Sequence, residues 1–260
     1  MKEDNSETRE EKLLYAKRVI QDLEAYKKSI VFPLEIDGTI KPKVVWKYDG
    51  YIQAVTYRTA ELAKEALYDW DNGKTIPAIL QARAVMETVA VTYLLIKKLK
   101  NNLDQENLNQ IDNIIMIHSF GTRNMEDLPR VTNVLTSIDA VDKWIPGFRK
   151  IYDDLCESCH PNHMGTLWPY SKDDKEACEI HMMERNPDGQ EFLDQFLPAA
   201  LSSSVGILQS IMDNYSRLRD RLLSLARKKM FEMSFPQNKL NLIYRKVSSC
   251  QSTWTWQDFL

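Results

Sequence analysis

The chain has 260 residues, 43% apolar and 27% charged, with a formal charge of −3. That length is ample for one sizeable core, and the composition excludes wholesale disorder. The small negative charge excludes a global attraction to nucleic acid or anionic lipid, so any basic footprint must be local. Eight glycines and ten prolines are too few for an all-β chain that turns every ten residues or so. Long helices parted by occasional breakers fit better, and the expected fold is an all-α helical bundle with a small β-hairpin or extended insertion.

Met1 to Lys12 is dense in charge and lacks the apolar stretch of a secretory signal, so a cytoplasmic location with reduced cysteines is expected. From Glu7 to Ile30, Leu13, Ala16, Ile20 and Leu23 recur at helical spacing until Pro33. Leu34 to Trp46 holds Asp37-Gly38, β-branched residues and Pro42, the marks of a short hairpin or extended loop. A second helix is predicted from Tyr51 to Trp70, stopped by Asp71-Asn72-Gly73. Thr75 is placed to cap a third, Ile76 to Lys100, which is apolar nearly all round and so belongs in the middle of a bundle; its charges argue against a membrane span. A fourth covers Gln105 to His118, and Thr122 to Thr136 reads as loop. Short helices at Asp139 to Trp144 and Phe148 to Cys159 are parted by Pro146-Gly147. Thr166 to Tyr170 and Ala177 to Glu184 are the candidate strands of a hairpin. One long helix then runs from Gln190 to Met230, kinked or started at Pro198. The bundle thus spans 1–234. Residues 235–260 form an aromatic tail whose Trp254, Trp256 and Phe259 are costly to leave in water, so it is expected to pack on its own domain, a second copy or an operon-encoded partner.

Arg83 and Glu87 stand out because they share a face of the helix expected to be most buried. Charges survive in a core when they are paired or used. Two readings stay open: a structural ion pair between helices, or a polar site inside the bundle. The second distinctive stretch runs from Tyr152 to Gly165. Tyr152, Cys156 and His160 form one stripe, and Pro161 ends the helix at His160. A cationic histidine is favoured there by the exposed carbonyls, which suits a proton donor and equally a simple cap.

The pairing of Arg83-x-x-x-Glu87 with Tyr152-x-x-Leu155-Cys156-x-x-x-His160-Pro161-Asn162-x-x-Gly165 resembles a group of uncharacterised bacterial all-helical proteins, themselves loosely similar to the HEPN superfamily of toxins, RNA-processing enzymes and phage-defence factors. The resemblance spans about residues 80–165. It implies a helical effector or binding protein of bacterial stress or phage defence, acting on RNA or a nucleotide. HEPN ribonucleases carry an arginine a short set distance before a histidine, and none of His118, His160, His163 and His181 has one there. That mechanism is therefore not implied. If the chain is an enzyme, hydrolysis is expected, with Arg83 binding phosphate, His160 as general acid or base and Glu87 orienting it. Tyr152, Asn162, Arg217 and Arg221 are the candidate binding residues. The alternative is a non-catalytic scaffold or interaction protein.

Cys156-x-x-Cys159 followed by Cys178-x-x-His181 has the spacing of a structural zinc site. The first pair sits in a helix and lacks a glycine-bearing knuckle, so buried thiols are expected there instead, with no metal and no cofactor. Arg217, Arg221 and Lys228 project to a similar side of the last helix. They offer a strip for phosphate or a solvated face that complements the helix dipole.

Overall fold

Thr8 starts the first helix by a capping box: its hydroxyl accepts from the Glu11 amide at 3.3 Å and the Glu11 carboxylate accepts from the Thr8 amide at 2.8 Å. This helix, α1 (Arg9–Glu24), buries Leu13, Ala16, Ile20 and Leu23. The computed structural model describes residues 8–28, 35–36, 39–40, 42–122 and 132–234. Strands β1 (Glu35–Ile36) and β2 (Thr39–Ile40) pair antiparallel, within the stretch expected to be a short hairpin or extended loop. The expected aromatic tail, 235–260, lies outside the described residues, as does most of the expected loop from Thr122 to Thr136.

Helix α2 (Lys43–Asp71) begins well before the predicted Tyr51, directly after Pro42. Proline fixes φ and needs no amide partner, so it starts a helix as readily as it breaks one. Helix α3 (Thr75–Asp104) is the central element, with Ile79, Val85, Met86, Val89 and Leu95 fully buried. It is long and apolar enough to cross a membrane, but it is packed among α2, α5 (Val134–Asp142), α6 (Phe148–Cys159) and α7 (Pro187–Asp213). The expected cap at Thr75 is corrected: Lys74 precedes the helix without a side-chain cap, and Thr75 is a buried member of it, packed against Gly189. Helix α4 (Leu108–Phe120) is capped by Asn107, whose side-chain Oδ1 accepts from the Gln110 amide at 3.1 Å.

The segment after α6 differs most from expectation. Residues 163–167 form one π-helical turn and 168–170 a 3-10 turn, so the first hairpin strand is not at 166–170. It is β3 (Ser171–Asp174), paired with β4 (Glu179–Met182). Asn162 is the cause: its side chain caps the π turn at the Gly165 amide, 3.0 Å away, and donates to Glu157 at 2.6 Å. A Cβ at residue 165 would run into the carbonyls of Ser158 and His160, so the turn requires glycine. The His-Pro-Asn-x-x-Gly motif is thus a device for reversing the chain.

The single long C-terminal helix is two, α7 and α8 (Tyr215–Ser234), broken at Asn214. Pro198 stays inside α7. Its missing amide orphans the Asp194 carbonyl, which accepts instead from Lys12 Nζ at 3.2 Å. The Asp194 carboxylate also takes the Trp70 indole N–H at 2.7 Å, so one turn of α7 is tied to both α1 and α2.

Candidate functional site

On α3, Arg83 Nε donates to Glu87 Oε1 at 2.9 Å, one turn along the same face. From α6, the Tyr152 hydroxyl donates to that same oxygen at 2.9 Å, and the Arg83 guanidinium stands 5.9 Å from the centre of the Tyr152 ring. Arg83 also donates to the Cys159 sulfur, and Tyr152 is hydrogen-bonded with Cys156. The tyrosine ring is buried, yet the Arg83 and Glu87 side chains keep 32% and 28% of their exposure, so water reaches the charged ends.

Burial pushes the Tyr152 hydroxyl well above the usual phenol range, and the hydrogen bonds with Cys156 and Glu87 push it further. The phenol is therefore a fixed donor. Burial also raises both thiols; the Tyr152 bond and the Arg83 charge offset this at Cys156, and the Arg83 hydrogen bond offsets it at Cys159. Neither is a ready thiolate. Burial works against the Arg83 cation, but the Cys159 and Glu87 partners outweigh it and hold the guanidinium charged.

Glu87 has a second neighbourhood. With Tyr51, Ala54, Val55 and Arg58 of α2, Thr88 and Val91 of α3 and Ser119 of α4 it lines an open groove of about 370 Å³. Arg58 Nε donates to the Thr88 hydroxyl at 3.2 Å, beside Glu87 in sequence. Burial pushes up the Tyr51 hydroxyl despite its bond with Thr92, so that ring is a neutral wall. His118 stands edge-on to it at 6.3 Å; burial first, and the Lys98 charge second, pull its pKa down to about 4. Its Nδ1 and the Ser119 Oγ are buried and have no hydrogen-bond partner among the described residues.

No family model, characterised protein or solved structure matches the chain. What the site can do therefore rests on its own geometry.

Of the residues singled out from sequence, Arg83, Glu87 and Tyr152 come together. His160 caps the C-terminal end of α6 in an extended conformation, is exposed, and has no hydrogen bond to Glu87 among the described residues; Tyr152 occupies the place expected for it. Asn162 is spent on its turn. Arg221 is paired with Asp104 at 2.7 Å and Lys228 with Glu106 at 2.6 Å, so much of the basic strip of α8 is neutralised by carboxylates at the end of α3 and just beyond it. Arg217 is exposed and makes no hydrogen bond or ion pair among the described residues. Cys178 is exposed in the β3–β4 turn at φ +54° and His181 lies beside Glu179. Among the described residues no three histidine, cysteine or carboxylate groups gather as a metal site, so Cys156, Cys159, Cys178 and His181 do not converge.

Sequence reasoning missed the far wall of the groove. Its signal was Arg58, which continues the helical stripe Tyr51, Val55 at a position where an apolar residue would otherwise be expected.

Proposed function

We propose that the chain is a HEPN-like helical effector or binding protein, of the kind used in bacterial stress and phage defence, that takes RNA or a nucleotide in the groove beside Glu87. The supporting observation is the setting of Glu87. Arg83 is paired with the Glu87 carboxylate on the central helix of the bundle, Arg58 lines the same groove as Glu87, and the place is open to water. The local charge is thus positive in a chain that is negative overall. Arg58 uses its Nε within the protein, and its remaining N–H groups suit a phosphate. Tyr51, Val55 and Val91 supply an apolar wall for a base or sugar, and the volume is within the range of small-ligand sites.

Binding is a better-supported role than hydrolysis. No imidazole is bonded to Glu87 among the described residues, and the Tyr152 proton is held too firmly for acid–base exchange near neutrality. A ligand-free scaffold is the second reading, favoured by the mutual satisfaction of Arg83, Glu87 and Tyr152. Fluorescence anisotropy of a labelled mixed-sequence RNA, competed with mononucleotides, separates the two. We expect saturable, salt-sensitive binding that falls about ten-fold in Arg58→Ala, the loss of one charge-assisted phosphate contact. Absence of binding by the wild-type chain up to millimolar mononucleotide overturns the proposal.

A further inference from the structure

Glu87 gives the groove a preference that a phosphate contact alone would not. Its Oε1 already accepts from Arg83 and from Tyr152, which anchors the carboxylate from behind. Its Oε2 has no hydrogen-bond partner among the described residues, although Glu87 lines the groove. An ionised carboxylate accepts and cannot donate. A ligand that meets it must therefore present N–H or O–H groups, and a lone pair placed against it is repelled.

The nucleobases differ in this respect. Guanine carries two adjacent donors, N1–H and the N2 amino group, on its Watson–Crick edge. Adenine and cytosine each set a ring-nitrogen acceptor beside the amino group, and uracil flanks its one N–H with two carbonyls. Each of the latter three would turn a lone pair toward Glu87. The Tyr51 ring and the Val55 and Val91 side chains line the same groove, as suits a flat ring, and the Ser119 hydroxyl, buried without a partner among the described residues, lies in the α4 wall. Arg58, exposed and bonded through Nε alone, is placed for the phosphate.

We propose that this groove selects guanine, with Glu87 reading the N1–H and N2–H edge. The inference rests on the nucleotide reading of the same groove and adds base identity to it. Such readout discriminates because the wrong base, once bound, leaves the carboxylate facing an acceptor where guanine presents donors.

Calorimetric titration of the full chain with guanosine, inosine, adenosine and cytidine monophosphates tests it. Inosine keeps N1–H and lacks the N2 amino group, so affinity should fall from guanosine to inosine to adenosine, with at least ten-fold between the first and the last. Glu87→Gln should collapse that ratio, since an amide can both donate and accept, whereas Arg58→Ala should weaken all four nucleotides alike. Circular dichroism melting of both variants confirms that they are folded. Equal affinity for all four nucleotides, or a guanosine-to-adenosine ratio unchanged in Glu87→Gln, overturns guanine selection while leaving nucleotide binding intact. Binding of none of them overturns both.

Discussion

The bundle contains two trios of the same composition, an arginine, a carboxylate and a tyrosine, and they differ in how much water reaches them. At Asp49 the carboxylate is completely buried; it accepts from the Tyr215 hydroxyl at 2.6 Å and from Arg219 Nε at 3.2 Å. Tyr48 stacks on the Tyr215 ring at 5.7 Å, and α2 is thereby clamped to α8. At Glu87 the matching groups are partly exposed, and one carboxylate oxygen is left over. The same chemistry makes a strut in the first case. In the second it makes a polar surface that can accept a new partner without breaking the helix contacts beneath. Desolvation sets the difference: a sealed charge depends on its partners, whereas a half-exposed one can exchange a partner for water or a ligand.

Removing each carboxylate in turn is the strongest way to break the comparison. Asp49→Ala takes the fully buried carboxylate away from Tyr215 and Arg219 and should cost about 3 kcal/mol in urea unfolding, the low end for a broken buried pair. Arg219 also reaches Asp220 at 3.4 Å, which limits the loss. Glu87→Ala should cost about 1 kcal/mol or less, as expected for exposed pairs. Equal losses would mean that both trios are struts.

Acid provides a second, smaller contrast, on the groove side. The folded His118 has a pKa near 4, well below its ordinary 6.5. Between those values the unfolded chain binds a proton that the native one refuses. The stability contributed is therefore complete above 6.5 and is lost as the pH falls toward 4. Between pH 7.5 and 5 the loss should be about 2 kcal/mol. Urea unfolding of the wild type and of His118→Leu at both values isolates it, because the carboxylates titrate alike in the two proteins. An unchanged pH slope in the variant would show that His118 is not held neutral by its surroundings.

The sequence exposed some of this and hid the rest for identifiable reasons. Local rules located the end of α6, since Pro161 forces His160 out of helical geometry. They located Arg83 and Glu87 too, because charges on an all-round apolar helix demand partners. The identity of the third partner was not legible. Tyr152 and His160 lie on one stripe of α6, and the choice between them depends on reach: a mid-helix phenol extends across to α3, whereas the imidazole at the helix end faces solvent. Asp49 carries the same cue as Arg83, a charge on the apolar stripe Val45, Tyr48, Ile52, but its partners lie 166 and 170 residues away, beyond any local pattern. The split of the last helix turns on Asn214, whose side chain bonds back to the Ser210 carbonyl at 2.8 Å and marks where α7 stops.

The smallest expected effect is the most discriminating. Tyr152→Phe and Tyr215→Phe delete the same hydroxyl from the same kind of trio and leave both rings in place. At Tyr215 the lost donor leaves a fully buried carboxylate oxygen short of a hydrogen bond, which costs about 1–2 kcal/mol. At Tyr152 water can take the vacated place, so the cost should stay below about 1 kcal/mol. The phenyl ring left at that position would still lie under the Arg83 guanidinium, which preserves that contact. The functional order should be the reverse. The Tyr152 phenol anchors the Glu87 carboxylate from behind; without it the carboxylate gains rotational freedom that a bound nucleotide must remove, and affinity should fall a few-fold. Tyr215→Phe should leave nucleotide affinity unchanged, since Asp49 is sealed from solvent. Urea unfolding and calorimetric titration of the two variants supply the four numbers. If Tyr152→Phe proves the more destabilising and leaves affinity untouched, the Glu87 trio is a second strut, and the distinction between sealed and open fails.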